Sequence, residues 1–187
     1  DQEINIVDMV RPVTKYAVTV DKPEDILFHL EKAVDLATSG RKGPVWVNIP
    51  LDVQGSLVDD IDLKKYVKEN NNHFDNFNLK KDVTFVLDKL QKSERPLLFV
   101  GNGVRFAGAA DLLLDLIKLL EIPVVTGFAG FDLVSDKNKF FAGRPGTIGQ
   151  RSGNFAVQNS DVLLIIGSRL NIRMTGYNFK SFARGAE

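Results

Sequence analysis

The sequence has 187 residues, and its 24 basic side chains are balanced by 24 acidic ones, so no net charge draws the protein to nucleic acid or to a membrane surface. Its length is that of one domain, or of one domain with part of another, and its 44% content of hydrophobic residues is enough for a buried core. It contains no cysteine and no apolar run of the ~20 residues that span a membrane, which excludes disulfides and thiolate metal sites and favours a cytoplasmic protein.

The first part of the sequence has the pattern of a strand, a helix and a second strand. Residues 15–20 (K-Y-A-V-T-V) predict a short strand, and the apolar positions of residues 26–37 recur on one face of a helix. We expect Asp21 to cap this helix in a capping box with Glu24. Residues 43–50 (G-P-V-W-V-N-I-P) predict the second strand, so this part should be a right-handed βαβ unit with parallel strands.

Residues 57–77 are rich in Asp, Lys and Asn, including Asn70–Asn72, and they show no clean hydrophobic period. Such a composition predicts a linker whose charges form a solvated surface. We therefore divide the chain into a first domain of residues 1–56, this linker, and a second domain of residues 78–187.

Beyond the linker, strand and helix patterns alternate, which predicts an open parallel α/β sheet flanked by helices. Asn78 is expected to cap a helix, and the apolar run Leu97–Val100 predicts a strand that is buried on both faces. The last strand, over residues 161–167, should be the most deeply buried. The other elements expected here are a helix over 107–120 with Leu112, Leu113, Leu116 and Leu120 on its inner face, a strand over 122–125 and a helix over 154–159.

Glycines follow successive strands of this predicted sheet. Gly101-Asn102-Gly103 comes directly after the strand Leu97–Val100, and other glycine-rich stretches lie at 127–130 and 143–149. Strand, glycine turn and helix in this order place backbone N–H groups at the carboxyl edge of a parallel sheet, where anions and nucleotides bind. The spacing differs from G-x-G-x-x-G, and the sequence has no G-K-[S/T], so taken alone the turn is more often just a tight strand-to-helix connection.

Arginines also recur after these glycines, and a guanidinium group binds phosphate through a fixed fork of donors. The five are Arg105, Arg144, Arg151, Arg169 and Arg173. For any one of them surface solubility is an equally good explanation, whereas their recurrence at one predicted edge favours binding. The candidate cofactor-binding residues are Gly101, Gly103, Gly127, Gly146, Gly149 and Arg169.

The sequence offers little for catalysis. It has two histidines and no cysteine, and His29 stands in a predicted helix without a second ligand at metal-binding spacing. The carboxylates Asp59, Asp60 and Asp62 lie in the predicted linker, where a solvated turn explains them. We therefore assign no catalytic residue and no metal ligand to this chain.

The order of several short motifs is more specific than any single glycine turn. In the first domain they are Gln2-Glu3, Arg11-Pro12-Val13-Thr14-Lys15 and the run from Gly43 to Gln54 (G-P-V-W-V-N-I-P-L-D-V-Q). In the second domain they are Gly101-Asn102-Gly103, the loop Gly143 to Gly149, Asn154-Phe155-Ala156-Val157, Ser160-Asp161, Gly167-Ser168-Arg169 and Arg173-Met174-Thr175-Gly176. In this order, and over nearly the whole chain, they resemble motifs of the acetolactate synthase large-subunit group of thiamine diphosphate-dependent enzymes.

The resemblance implies that residues 1–56 are the C-terminal part of a pyrimidine-binding domain, and that residues 78–187 are a central domain truncated at its C-terminal end. The parent is then expected to form or cleave C–C bonds of small 2-oxo acids, as a transferase or lyase, with thiamine diphosphate and Mg²⁺. The family's catalytic glutamate lies upstream of these motifs, and its Gly-Asp-Gly…Asn motif for Mg²⁺ and diphosphate does not occur in this sequence. The resemblance thus predicts a scaffold that is inactive alone and works with the remaining domains of its parent, in a homo-oligomer.

The resemblance also bears on a second cofactor, because the central domain of acetolactate synthases holds FAD, partly through these loops. Here Ile148 stands where the family has His, and Leu170-Asn171-Ile172 replaces F-D-D. These departures remove a polar donor and two carboxylates, whereas the glycines and Arg169 are kept. We therefore expect FAD binding by this chain to be weak.

Two other interpretations stay open from the sequence. In one, the chain is a stand-alone, non-enzymatic nucleotide- or flavin-binding module, as in electron-transfer flavoproteins. In the other, the central domain acts only as a spacer and oligomer contact and holds no ligand.

Overall fold

The computed structural model describes residues 4–68 and 78–187, which form two compact units, Asp1–Asp75 and Asn76–Glu187. The motif Gln2-Glu3 and the asparagine run Asn70–Asn72 lie outside the described residues. None of the described helices is long and apolar enough to cross a membrane.

The first unit contains the expected βαβ arrangement. In chain order its helices and strands are α1 (Ile6–Val10), β1 (Ala17–Thr19), α2 (Ile26–Thr38), β2 (Trp46–Asn48) and α3 (Leu51–Gln54), with 3₁₀ turns at Arg11–Val13 and Pro23–Asp25. Strands β1 and β2 pair in parallel, with Ala17 opposite Trp46 and Thr19 opposite Asn48. The prediction of two parallel strands joined by a helix is therefore confirmed.

The start of α2 differs from the predicted capping box. A 3₁₀ turn begins at Pro23, with Lys22 in its cap position, and α2 follows directly at Ile26, with Asp25 in the cap position of α2. No side-chain hydrogen bond caps either start, so the prediction that Asp21 caps the helix is wrong. The physical reason is that the fixed φ of proline starts the turn after Lys22, so Asp21 lies outside the cap position.

The second unit is an open parallel sheet flanked by helices, as predicted. Within the described residues the sheet has four strands, in the order β5 (Phe141–Gly143), β4 (Val124–Thr126), β3 (Pro96–Val100) and β6 (Val162–Ile166). All neighbouring pairs are parallel, with Leu98 opposite Val124 on one side and opposite Leu164 on the other. The helices are α4 (Leu79–Lys92), α5 (Gly103–Phe106), α6 (Ala110–Leu120), α7 (Arg151–Asn159) and α8 (Ile172–Thr175).

Strand β3 lies in the centre and separates two apolar clusters. Leu98 and Val100 face α6 in a cluster with Leu113 and Ile117, whereas Leu97 and Phe99 face α7 on the opposite side of the sheet. All four strand residues are buried, since the period of two sends successive side chains to opposite faces. The prediction of a strand buried on both faces is confirmed.

Two predictions about burial are wrong. Strand β6 is only half-buried, with Ile165 38% exposed, because β3 is the single described strand beside it. The predicted helix over 107–120 is interrupted by Gly108 at φ +67°, and its main part starts at Ala110. Leu113 and Ile117 then point inward and Leu112 is 71% exposed, since one residue of a helix is rotated ~100° from the next.

The remaining expected elements are present with shifted bounds. Asn78 caps α4, its side chain accepting a hydrogen bond from the Lys81 N–H, as the sequence predicted. Strand β5 was not predicted, because three residues ending in glycine carry no strand pattern of their own.

Candidate functional site

The carboxyl ends of the four described strands meet at one edge of the sheet, because all of them are parallel. The chain runs from β3 outward through β4 to β5 and then returns to the other side of β3 as β6. The order therefore reverses between β3 and β6, and ligands of open α/β sheets bind outside such a switch point. The two loops at this point are Gly101–Gly103, after β3, and Gly167–Arg169, after β6.

These two loops touch through their backbones. Gly101 N–H donates to the Ile166 carbonyl at 2.9 Å, and Gly103 N–H donates to the Gly167 carbonyl at 2.8 Å. A Cβ atom added to Gly101 would lie 2.7 Å from the Ser168 Cα, and one added to Gly103 would lie 2.8 Å from the Gly167 Cα. Glycine is therefore required at both positions by the close approach of the two chains, whether or not a ligand binds here.

The loop after β4 joins the same edge. Gly127 N–H donates to the Val100 carbonyl at 2.8 Å, and a Cβ atom at Gly127 would meet only the Phe99 ring at 3.4 Å and the Met174 sulfur at 3.8 Å among side chains. Gly130 approaches the first loop more closely, since its added Cβ would lie 3.2 Å from the Asn102 nitrogen. Gly127 has room for a side chain, whereas Gly130 does not.

The loop after β5 is held from both sides. Asn154 in α7 pairs with the backbone of Gly146, accepting from its N–H at 2.9 Å and donating to its carbonyl at 3.2 Å. Gly146 has φ +123°, and an added Cβ would lie 2.6 Å from the Met174 Cε, so glycine is required here too. Gly149 closes the turn onto the Gly146 carbonyl at 3.0 Å. The Met174 side chain thus lies beside both Gly127 and Gly146, next to the loops that follow β4 and β5.

Four of the five arginines predicted at this edge fall into two groups. Arg144 is engaged inside the protein, donating to the Phe131 carbonyl at 3.1 and 3.2 Å, pairing with Asp136 at 2.7 Å and lying over the Phe141 ring. Arg105 bonds the side chains of Asn102 and Asp132, each at 2.7 Å, and its hydrogen bond is the main cause that lowers the pKa of Asp132. These guanidinium groups hold loops together and are not free to bind a phosphate.

Arg169 and Arg173 belong to the second group. Both are exposed, and within residues 4–68 and 78–187 neither guanidinium group makes a hydrogen bond or an ion pair. The loop that carries them is shaped by Leu170 at φ +46°, a strained angle for leucine, and by Asn171, whose side chain accepts from Arg173 N–H at 3.0 Å. Arg169 is therefore an available cation at the switch point, and Asn171 has a structural role that an aspartate could also fill.

A buried hydroxyl group lies beneath the same edge. Thr126 is the last residue of β4 and is fully buried, and among the described residues its Oγ1 has no hydrogen-bond partner. A buried hydroxyl without a partner costs free energy, and such groups mark positions where a water or ligand atom can bind. Sequence patterns could not indicate this, since threonine is an ordinary strand residue.

The candidate glycines line different surfaces. Gly103 and Gly167 line a mostly apolar cavity of about 320 Å³ with Leu112, Leu113 and Leu116 of α6. Gly149 lines a separate, more polar groove of about 740 Å³, in which Arg151, Phe155 and Arg184 also lie. Arg151 lies over the Phe155 ring, with 5.0 Å between its Cζ and the ring centroid.

Outside this edge the described residues hold no group of three or more His, Cys, Asp or Glu side chains that could bind a metal ion. His29 accepts or donates a hydrogen bond with the Tyr16 hydroxyl at 2.6 Å, and burial raises the pKa of Tyr16. Lys15, the last residue of the Arg11–Lys15 motif, donates to the carbonyls of Leu36 and of Ser39, the latter at 2.9 Å. It therefore satisfies the C-terminal end of α2, a structural role.

Comparison with known proteins agrees with the resemblance seen in the sequence. Residues 83–187 match the model of the thiamine pyrophosphate enzyme central domain. The chain is 33% identical to a probable acetolactate synthase large subunit of Methanocaldococcus jannaschii, over 94% of this chain and 30% of that protein. It is 35% identical to the acetolactate synthase large subunit of Corynebacterium glutamicum, over 94% of this chain and 28% of that protein.

An isozyme 2 large subunit of acetolactate synthase from Escherichia coli is 31% identical, again over 94% of this chain and 31% of that protein. The chain thus spans about a third of the length of the curated relatives that it matches. These matches do not favour the interpretation as a stand-alone, non-enzymatic binding module.

Proposed function

The chain belongs to the thiamine pyrophosphate enzymes, whose central domain its residues 83–187 match, and we propose that it is part of an acetolactate synthase-like enzyme acting on small 2-oxo acids. In this proposal thiamine diphosphate, with Mg²⁺, supplies the carbanion-stabilising chemistry of a transferase or lyase. The chain itself supplies a scaffold and a nucleotide site and carries no catalytic residue. The parent works as a homo-oligomer, and a cytoplasmic location stays a prediction.

The observation that carries the proposal is the close approach of the loops at the switch point. The glycines of Gly101-Asn102-Gly103 and Gly167-Ser168-Arg169 are required by one backbone contact between β3 and β6, although 66 positions separate Gly101 from Gly167. The proposal therefore rests on motifs that the tertiary structure joins.

We also propose the domain division 1–56, 57–77 and 78–187. Glu187 N–H donates to the Asp161 carbonyl and Leu163 N–H donates to the Glu187 carbonyl, each at 3.0 Å, which is the bond pair of a parallel bridge beside β6. Next to this edge, none of the residues of α4 is buried, and an apolar cavity of about 280 Å³ separates α4 from β6. Glu187 is thus tied to β6 by its backbone, which supports placing it in the second domain.

The nucleotide site is proposed at the switch point, with Arg169 as the residue that binds a phosphate. The structure fits a flavin nucleotide only in part. Arg169 offers a free cation, whereas Ile148 is 76% exposed and offers no polar group where the family has His. The required glycines already contact protein backbone, so the loops leave no cradle at Gly101 and Gly103 that only a ligand explains. We expect FAD to bind no tighter than roughly 10 µM, about −7 kcal/mol.

Two experiments test these proposals separately. The full-length parent is assayed with pyruvate, a small 2-oxo acid, with and without added thiamine diphosphate and Mg²⁺, and activity that is indifferent to the cofactor would contradict the enzyme assignment. FAD is titrated into the 187-residue chain and into its Arg169→Ala variant, with flavin fluorescence as the readout. Sub-micromolar binding, or a yellow purified protein, would show that the site is better formed than we infer.

A further inference from the structure

The second half of the predicted linker does not run free of the first unit. Residues 64–68 lie outside the helices and strands, yet the side chain of Lys64 reaches Asp25, the cap residue of α2, and the side chain of Lys68 and the backbone N–H of Tyr66 reach α2 itself. Lys64 N–H donates to the Glu24 carbonyl at 3.1 Å, and Tyr66 N–H donates to the Glu31 carboxylate at 2.8 Å. Two main-chain N–H groups of this stretch are therefore anchored, which a solvated linker does not require.

The side chains add two ion pairs and a ring contact. Lys64 pairs with Asp25 at 2.6 Å, and Lys68 pairs with Asp35 at 2.6 Å. Between them Tyr66 donates its hydroxyl to Asp35 at 3.3 Å and packs edge-on against the Phe28 ring, with centroids 5.8 Å apart. The contacts thus alternate along the stretch, with one cation on each side of an aromatic ring.

The two partners match in length and direction. Asp25, Phe28, Glu31 and Asp35 follow one another at spacings of three or four residues and so form one stripe along the helix, which spans ~15 Å from end to end at 1.5 Å per residue. A segment from Lys64 to Lys68 can reach ~13 Å at about 3.3 Å per residue, which is enough to bring the two lysines to opposite ends of this stripe. Both ion pairs are therefore formed at once.

The charges on the helix are the more enclosed partners. The carboxylate side chains of Asp25 and Asp35 are 23% and 17% exposed, whereas those of Lys64 and Lys68 are 63% and 61% exposed. The hydrogen bond from Lys64 is the largest cause that lowers the pKa of Asp25, ahead of the charges of His29 and Lys22. The hydrogen bond from Lys68 does the same for Asp35, which Tyr66 and Lys15 also face.

We propose that residues 64–68 form a clasp on α2 that salt can open, so that the chain is held to the first unit as far as Lys68 and not only as far as α3. Exposed ion pairs are individually weak, and raising the salt to 1 M shortens the Debye length to ~3 Å. The clasp therefore depends on its two pairs acting together. The apolar contacts of the unit are not weakened by charge screening. The clasp therefore opens as a local event while the rest of the unit stays folded.

Limited trypsin digestion of the 187-residue chain tests the clasp, because Lys64, Lys65 and Lys68 are themselves cleavage sites. Initial cleavage after Lys65 is measured by mass spectrometry and divided by cleavage after Lys42, which lies in an exposed loop and corrects for the effect of salt on trypsin. We expect this ratio to rise about tenfold between 20 mM and 1 M NaCl.

Two variants approach the clasp from opposite sides. In the helix variant, Asp25→Asn with Asp35→Asn removes the two carboxylates on the helix side. In the strap variant, Lys64→Gln with Lys68→Gln removes the two cations of residues 64–68 and leaves α2 unchanged. Each should show the raised ratio already at 20 mM NaCl. The control Asp59→Asn with Asp60→Asn makes the same change of charge as the helix variant, at exposed positions that form no ion pair among the described residues. Its cleavage ratio should equal that of the wild type.

Far-UV circular dichroism confirms that each variant is folded before digestion. If the helix variant unfolds, the strap variant decides alone, since its substitutions lie on an exposed segment. A ratio that ignores salt in the wild type, or that is unchanged in the strap variant, would overturn the proposal.

Discussion

The close approach at the switch point can be tested by adding a single methyl group to the glycine that follows β3 and, for comparison, to the glycine that follows β4. Gly101→Ala places a Cβ atom 2.7 Å from the Ser168 Cα, whereas Gly127→Ala, at the end of the neighbouring strand, meets nothing closer than the Phe99 ring at 3.4 Å. Carbon atoms prefer separations of ~3.5–4.0 Å, so the loops after β3 and β6 would have to separate by roughly 1 Å in the first variant only.

The magnitude follows from what this separation disrupts. Overpacking costs about 1–3 kcal/mol, and the bonds from Gly101 N–H at 2.9 Å and Gly103 N–H at 2.8 Å would both lengthen, at about 1 kcal/mol each. We expect Gly101→Ala to lower the free energy of unfolding by about 3 kcal/mol, which corresponds to a fall in Tm of about 10–20 °C for a unit of this size. Gly127 has φ −70°, which suits alanine, so Gly127→Ala should change stability by no more than about 1 kcal/mol, and in the stabilising direction.

The assay is urea denaturation of the 187-residue chain, followed by far-UV circular dichroism. Trp46, the single tryptophan, lies in β2 of the first unit, whereas both substitutions lie in the second. The transition that its fluorescence reports should therefore be the same in the wild type, Gly101→Ala and Gly127→Ala. Equal stabilities for Gly101→Ala and the wild type would refute the reasoning, because they would mean that the β3 and β6 loops do not touch in solution. A large loss in Gly127→Ala would refute it equally.

Three further predictions use the same measurements. Thr126→Val removes the buried hydroxyl that has no partner among the described residues and should stabilise the chain by about 1 kcal/mol, whereas Ser160→Ala, which loses a 2.9 Å bond to the Val157 carbonyl, should destabilise it; a destabilised Thr126→Val would show that the hydroxyl has a partner. The pKa of Asp161 is lowered to about 2, chiefly by the Ser93 hydroxyl, so the stability that this carboxylate contributes is present above its ordinary pKa of 3.8 and is lost as the pH falls toward 2. The difference in Tm between the wild type and Asp161→Asn should therefore shrink over that window, and a difference independent of pH would contradict the assignment. Leu98→Asp should prevent folding, since Leu98 is fully buried in the central strand, while Leu164→Asp at the half-buried edge should cost less; equal solubility and stability of the two variants would show that β6 is not an edge.

Local patterns in the sequence were sufficient for the main elements and for the fold class. The apolar run Leu97–Val100 predicts a buried strand because it allows no polar face, and Asn78 predicts a helix start because its short side chain reaches the N–H of Lys81. The alternation of such signals implies parallel strands, and parallel strands bring the glycine turns to one edge. Each of these inferences depends on residues that are neighbours in the chain.

Whether a given residue at that edge is free, buried or engaged was decided by the tertiary structure alone. Arg144 and Arg169 both follow strand-end glycines, but Arg144 is enclosed by Phe131, Asp136 and Phe141 while Arg169 has no described partner. The strand Val162–Ile166 has the most apolar sequence of the chain and is nevertheless an edge, because burial depends on which strands lie beside it.

The charged stretch around Lys64 and Lys68 shows the same limit. Its composition is that of a solvated linker, and nothing within it indicates that a stripe of carboxylates lies at the matching distance on α2. Segments distant in sequence meet only after the chain has folded, and sequence patterns report the properties of single segments. The sequence alone therefore determined what each element is, and the tertiary structure decided what each side chain does.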